Sequence, residues 1–114
     1  MPKGRQQREW MVWNAKKQGA MFCILCGDKF KGKDNDPLAP TIDHLVPRTH
    51  GGSRGAHNCG LAHRACNCAR KDAPLTQEQW QRASDQIPAG GKRRDRFRRL
   101  CEEHGITVAE PDDV

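Results

Sequence analysis

Two short ligand pairs constrain this chain more than any other feature. Cys23-Ile24-Leu25-Cys26 sets two thiols two residues apart, with Gly27 behind them to permit a tight turn. His63-Arg64-Ala65-Cys66 repeats the spacing. Together they make a Cys3His set, the closed tetrahedral arrangement of structural zinc. One such pair alone is a weak signal; two matched pairs are a strong one. The pairs weigh more because the rest of the chain offers little to bury. Six Leu, four Ile, four Val and three Phe are the strong core formers among 114 residues, below the roughly one-fifth at which a charged chain folds unaided. Zinc binding in small domains is worth about 10–16 kcal/mol at neutral pH, and that binding energy is folding energy.

The compartment follows from the same cysteines. The opening Met-Pro-Lys-Gly-Arg-Gln-Gln-Arg is polar and no apolar signal region follows, which predicts a reducing, cytoplasmic setting. Six cysteines there favour metal over a disulfide framework. No apolar run approaches the roughly 20 residues of a membrane span. Lys and Arg number 20 against 14 Asp and Glu, a formal charge of +6, which favours a polyanionic partner. Of the other cysteines, Cys59 and Cys101 fall at apolar slots and read as small buried hydrophobes. Cys68 lies two residues from Cys66 on a different helix face. Cys59, and less readily Cys68, is the replacement ligand should His63 point away.

The expected elements are few. A basic helix in residues 1–20 carries Trp10 and Trp13 and ends at Gly19; both tryptophans, and Trp80, read as core packing. Thr41–Val46 is a short strand stopped by Pro47, Asn58–Ala62 a second strand, and His63–Lys71 a helix. Thr76 and Gln79 form a capping box for a helix carrying Trp80, Ala83 and Ile87 as far as Pro88. Gly90-Gly91 breaks the chain before a helix over Lys92–Glu103. The domain division is 1–20 basic helix, 21–74 zinc-braced core, 75–105 helical extension and 106–114 a loose acidic tail.

Asp43-His44, Gly51-Gly52, Asn58, His63-x-x-Cys66-Asn67 and Arg70-Lys71 follow one another in an order that resembles the HNH endonucleases, in the H-N-N variant found among small phage members. The resemblance spans Cys23 to Lys71, under half the chain. It implies an α+β, zinc-stapled domain with a ββα-metal (HNH, His-Me finger) core and flanking helices. Two positions depart from the usual pattern: His63 stands where a cysteine is common, and Asn67 where a histidine is common. Both substitutes are ordinary metal ligands.

The implied activity is metal-dependent hydrolysis of DNA phosphodiester bonds. His44, with an unperturbed pKa near 6.5, accepts a proton from water near neutrality. Asp43 and Asn67 offer oxygen to a hard ion, Mg2+ or Mn2+. Asn58 joins the catalytic set as the residue that pins the Arg48–His57 loop and so orients His44. Adjacent strand residues point to opposite faces, so Asp43 and His44 converge only at a bulge or a strand end. Arg48, Arg70 and Lys71 are expected phosphate contacts, as are Arg93, Arg96 and Arg99 on the last helix. His50 and His57 read as exposed polar residues. Double-stranded DNA is the expected partner, and the phage resemblance adds the packaging terminase, acting in the host cytoplasm. Two other classes compete: a non-catalytic zinc-knuckle nucleic-acid-binding protein, and a zinc-stapled protein-interaction module. Target sequence, oligomeric state and nicking versus double-strand cutting are not written in the chain.

Overall fold

The computed structural model describes residues 5–111. Helix α1 (Arg5–Lys17) leads through a turn-rich segment to strand β1 (Pro40–His44); β2 (Cys59–His63) then runs directly into α2 (Arg64–Arg70), and α3 (Gln77–Asp85) and α4 (Lys92–Glu103) follow. Short 3-10 turns at Arg48–His50 and Ala56–Asn58 break the loop between the strands. β1 and β2 form an antiparallel pair, with Pro40 opposite His63 and His44 opposite Cys59. The result is a small α+β fold of two strands and four helices among the described residues. None of these helices is long and apolar enough to cross a membrane.

Alternation along β2 builds two clusters on opposite faces of this small sheet. Ala62 joins Ile24, Leu45, Val46, Leu75, Trp80, Ala83, Ile87, Phe97 and Leu100. Leu61 and Cys59 join Met11 and Ala15 of α1, with Trp10 and Ile42 packed alongside. Trp80 and Phe97 lock α3 to α4 at a centroid distance of 6.1 Å. One continuous core therefore links the Cys23 turn to the C-terminal helices.

Several expected boundaries move. β1 stops at His44 rather than Val46. Leu45 N–H still reaches the Asn58 carbonyl, but the return bond is missing, because Asn58 N–H donates to Gly55 within its own turn and the Leu45 carbonyl accepts from Arg70. Val46 bonds the Asn58 side chain. β2 starts at Cys59, since Asn58 belongs to the preceding turn. His63 is its last residue, so α2 begins at Arg64. Lys71 lies outside α2, at φ 55°, and cannot share a regular helix face with Asn67. The capping box is present, with Gln79 N–H donating to Thr76 Oγ1 at 3.2 Å and Thr76 N–H to Gln79 Oε1 at 2.9 Å. α4 has the expected bounds.

Two buried polar side chains do structural work that periodicity does not announce. Gln86 accepts from Leu61 N–H at 2.8 Å and donates to the Phe22 carbonyl at 2.7 Å, satisfying the outer edge of β2. Arg94, 1% exposed, donates to the carbonyls of Ser84, Ile87 and Pro88 and to Ser84 Oγ. It thereby caps the end of α3 with a cation and leaves the basic face of α4. Trp13 is not core: it is 54% exposed, with Lys17 Nζ 4.1 Å from its ring centroid. The tail is not loose over residues 106–110. Ile106 and Val108 pack on the core, and Glu110 pairs with Arg98 at 2.9 Å. Residues 112–114 lie outside the described residues.

Gly52 marks a close approach in the loop between the strands. A Cβ there would sit 1.7 Å from the Val46 carbonyl oxygen and 2.9 Å from Asn58 Nδ2. Gly52→Ala should therefore cost about 1–3 kcal/mol, as overpacking does. Thermal denaturation checks this; an unchanged transition would mean that the loop can shift freely.

Candidate metal centre and active site

The metal centre starts with a turn. Gly27, at φ 85°, closes the Cys23–Cys26 hairpin, and its N–H donates to the Cys23 carbonyl at 2.9 Å. β2 then delivers His63 and α2 delivers Cys66 to the same place. Donor atoms of Cys23, Cys26, His63 and Cys66 all lie within 4.8 Å of one another. His63 Nδ1 is 3.2 Å from Cys26 Sγ and 3.7 Å from Cys66 Sγ. Those separations match tetrahedral edges built from bonds of about 2.0–2.3 Å. His63 Nε2 lies 2.8 Å from the Lys29 carbonyl. A carbonyl can only accept, so Nε2 carries the proton and Nδ1 faces the sulfurs with its lone pair. Leu25 and His63 N–H groups each donate to Cys23 Sγ at 3.3 Å. Burial, then the neighbouring Cys23 and Cys26, push the Cys66 thiol up to about 12; a dication between these groups would reverse that balance. The cluster can hold a metal such as zinc.

The other cysteines stand apart from it. Cys59 is buried in the α1-facing cluster, where desolvation pushes its thiol up to about 11. Cys101, on α4, is buried in the main cluster, and its thiol is likewise pushed up to about 11 by burial. Cys68 is exposed. His63 therefore keeps its place in the ligand set.

Asp43 and His44 are the last two residues of β1, and the register runs without a bulge as far as His44. Of the two ways for the pair to converge, only the strand end remains. Asp43 is buried and His44 half-buried. Asn67, on α2, donates through Nδ2 to the Ile42 carbonyl at 3.2 Å and to Thr41 Oγ1 at 3.3 Å. The carbonyl partner identifies that atom as nitrogen. The amide oxygen has no hydrogen-bond partner among the described residues.

Burial sets the electrostatics here. It lowers the pKa of His44 below its ordinary 6.5; Arg48, Arg54 and Arg70 push the same way, and Asp43 opposes them. The imidazole is thus neutral near pH 7. Burial raises the Asp43 carboxyl, while Arg70 pulls it back down. Asn58, fully buried, holds the segment after His44. Its Oδ1 accepts from Val46 N–H at 2.9 Å, and its Nδ2 donates to the carbonyls of Val46 at 3.0 Å and Ser53 at 2.8 Å. The loop-pinning contacts are therefore in place.

The expected phosphate contacts divide. Arg48, Lys71, Arg96 and Arg99 are exposed. Arg70 and Arg93 are not available. Arg70 is paired with Asp43 at 2.8 Å with its side chain 6% exposed. Arg93 donates to the carbonyls of Ala56 and Cys59 beside the Trp10 ring, and burial lowers its pKa to about 10. His57 is half-buried, not a freely exposed loop residue, and sits near Arg93, Arg96 and Glu103. Arg54, exposed in the same loop, went unremarked in the sequence; a lone arginine among glycines carries no periodic signal.

Residues 23–73 match the family model described as HNH endonuclease. Comparison with curated proteins and with solved structures found no match. The matched stretch opens on the first ligand of the cysteine–histidine cluster and closes just beyond α2. Over residues 23–73, then, this chain is similar to the HNH endonuclease family.

Proposed function

We propose that this protein is a metal-dependent DNA endonuclease in which His44 activates water and Asp43 and Asn67 hold a divalent ion. The observation that carries the reading is the meeting of the β1 end with α2. There a neutral half-buried imidazole, a carboxylate and an unpartnered amide oxygen come from elements that hydrogen-bond to each other. The donor set fits a hard cation: all oxygen, with lone pairs left on Asp43 beyond those that Arg70 engages. Such an ion, Mg2+ or Mn2+, would supply charge neutralisation at the phosphate and leaving oxygen. His44 takes the proton of the attacking water at a ring nitrogen. The Cys23, Cys26, His63 and Cys66 cluster is assigned to structural zinc, bracing α2 against the Cys23 turn.

Supercoiled plasmid incubated with the protein and Mg2+ or Mn2+ tests the reading directly. Nicked or linear product is expected, lost when the divalent ion is omitted and restored on its return, with bound zinc quantified throughout. Tight binding with no cleavage under any divalent ion would instead favour the non-catalytic nucleic-acid-binding protein. Double-stranded DNA as substrate, and the packaging terminase as a partner in a phage-infected cell, rest on the family resemblance.

The exposed cations also make a binding prediction. Each phosphate contact contributes roughly 0.9 to the slope of log K against log salt. Arg96→Gln with Arg99→Gln should flatten that slope by about 1.8 on any duplex, leaving cleavage at saturating enzyme intact. Arg93 is left out of the variant because it is half-buried, with its guanidinium over the Trp10 ring and its N–H groups on the Ala56 and Cys59 carbonyls. Fluorescence anisotropy across a salt series measures the slope; no change would mean that this face of α4 is only solvated.

A further inference from the structure

Arg70 was expected on DNA, yet it faces inward. From the last position of α2, its Nη1 donates to both Asp43 oxygens and to the His44 carbonyl, each at 2.8 Å. Nη2 donates to the Leu45 carbonyl at 2.8 Å, and Nε to the Ala73 carbonyl at 2.7 Å. Asn58 grips the same short segment from elsewhere: its backbone carbonyl accepts from Leu45 N–H at 2.8 Å, and its side chain brackets Val46. The backbone from His44 to Val46 is thus fastened by two side chains that are themselves buried or nearly so.

We propose that Arg70 is the positioning residue of the Asp43–His44 pair and makes no contact with DNA. The inference rests on the nuclease reading for its catalytic consequence. A guanidinium is the one side chain able to do this, because its planar fork of donors reaches a carboxylate and several carbonyls at once. Lysine would keep the charge beside Asp43 but could not span from Asp43 to the Leu45 and Ala73 carbonyls. A strand ordinarily sends adjacent side chains to opposite faces. Arg70 holds the carboxylate of one and the carbonyl of the other on a single group, at the point where the ladder ends.

Arg70→Lys should fold, retain its zinc and bind DNA with wild-type affinity and salt slope. Its kcat should fall about 100-fold with KM little changed, the penalty of a reacting group misplaced by about 1 Å. Arg70→Gln should keep the wild-type salt slope; a slope lower by roughly 0.9 would make Arg70 a phosphate contact and overturn the inference. Should either variant fail to fold, the wild-type protein decides. Its Arg70 Nε–H resonance should be protected from solvent exchange and unmoved when duplex DNA is added. Rapid exchange, or a large shift on adding DNA, overturns the inference while plasmid cleavage by the wild type still stands. Wild-type protein that cuts no DNA would remove the nuclease reading itself, and the catalytic consequence with it.

Discussion

Cys23→Ala and Cys66→Ala should each leave the chain unable to fold, and a strong chelator should unfold the wild type. A small domain is stable by about 5–15 kcal/mol, and the ion contributes about 10–16 kcal/mol. Removing the ion therefore removes the whole margin. The ligands are also embedded in the packing. Cys23 is fully buried in the main cluster, and Cys66 packs against it. Cys23 Sγ accepts two backbone N–H groups that would otherwise be orphaned. Cys101→Ala is the control, because Cys101 is buried in the same cluster but is no ligand; it should cost only about 1 kcal/mol. Circular dichroism and thermal melting, with zinc content measured in parallel, check the result. A melting transition unchanged after verified zinc removal would show that apolar packing alone suffices.

His44→Ala should fold and bind DNA like the wild type while cleaving 10²–10⁴ times more slowly, the usual span for a lost general base, roughly 3–5 kcal/mol of barrier. The residue is half-buried at a strand end and its ring makes no hydrogen bond among the described residues, so the folded state should survive. The pH profile adds a second check. The base works only when neutral, so cleavage should rise with pH as the imidazole deprotonates. Burial and the arginines around it set that pKa below 6.5, and a nearby dication would lower it further. The midpoint of the acid limb should therefore lie below pH 6.5. An acid limb centred above pH 7, or wild-type cleavage by His44→Ala, would remove His44 from its role.

How much of this was legible depends on the range over which each feature is determined. The cysteine–histidine cluster that can hold a metal could be read because the geometry within Cys23–Cys26 and His63–Cys66 is local: two residues of spacing limit where the donors can go. The starts of the helices at Gln77 and Lys92 were legible for the same reason, through a capping box and a Gly-Gly break, although the first ends at Asp85, short of the Ile87 that was expected on it. The order of Asp43, His44, Asn58 and Asn67 resembles that of the family in the sequence alone.

The arginines were not legible. Arg70, Arg93, Arg94, Arg96 and Arg99 look alike in the sequence; charge puts Arg93, Arg96 and Arg99 on DNA, and helical spacing from Asn67 adds Arg70. Folding separates them by what each can reach. Arg94 meets the carbonyls ending α3, Arg93 meets Ala56, Cys59 and Trp10, and Arg70 meets a carboxylate 27 residues earlier. Arg96 and Arg99 stay exposed on the surface. Trp13 was misread likewise, since helical spacing shows that a residue recurs on a face but not whether anything covers it. The sequence by itself determined which atoms can bind a metal. Only the tertiary structure decided which cations are spent inside, because unpaired backbone carbonyls are created by where strands and helices end, and no local pattern states which side chain will be near enough to satisfy them.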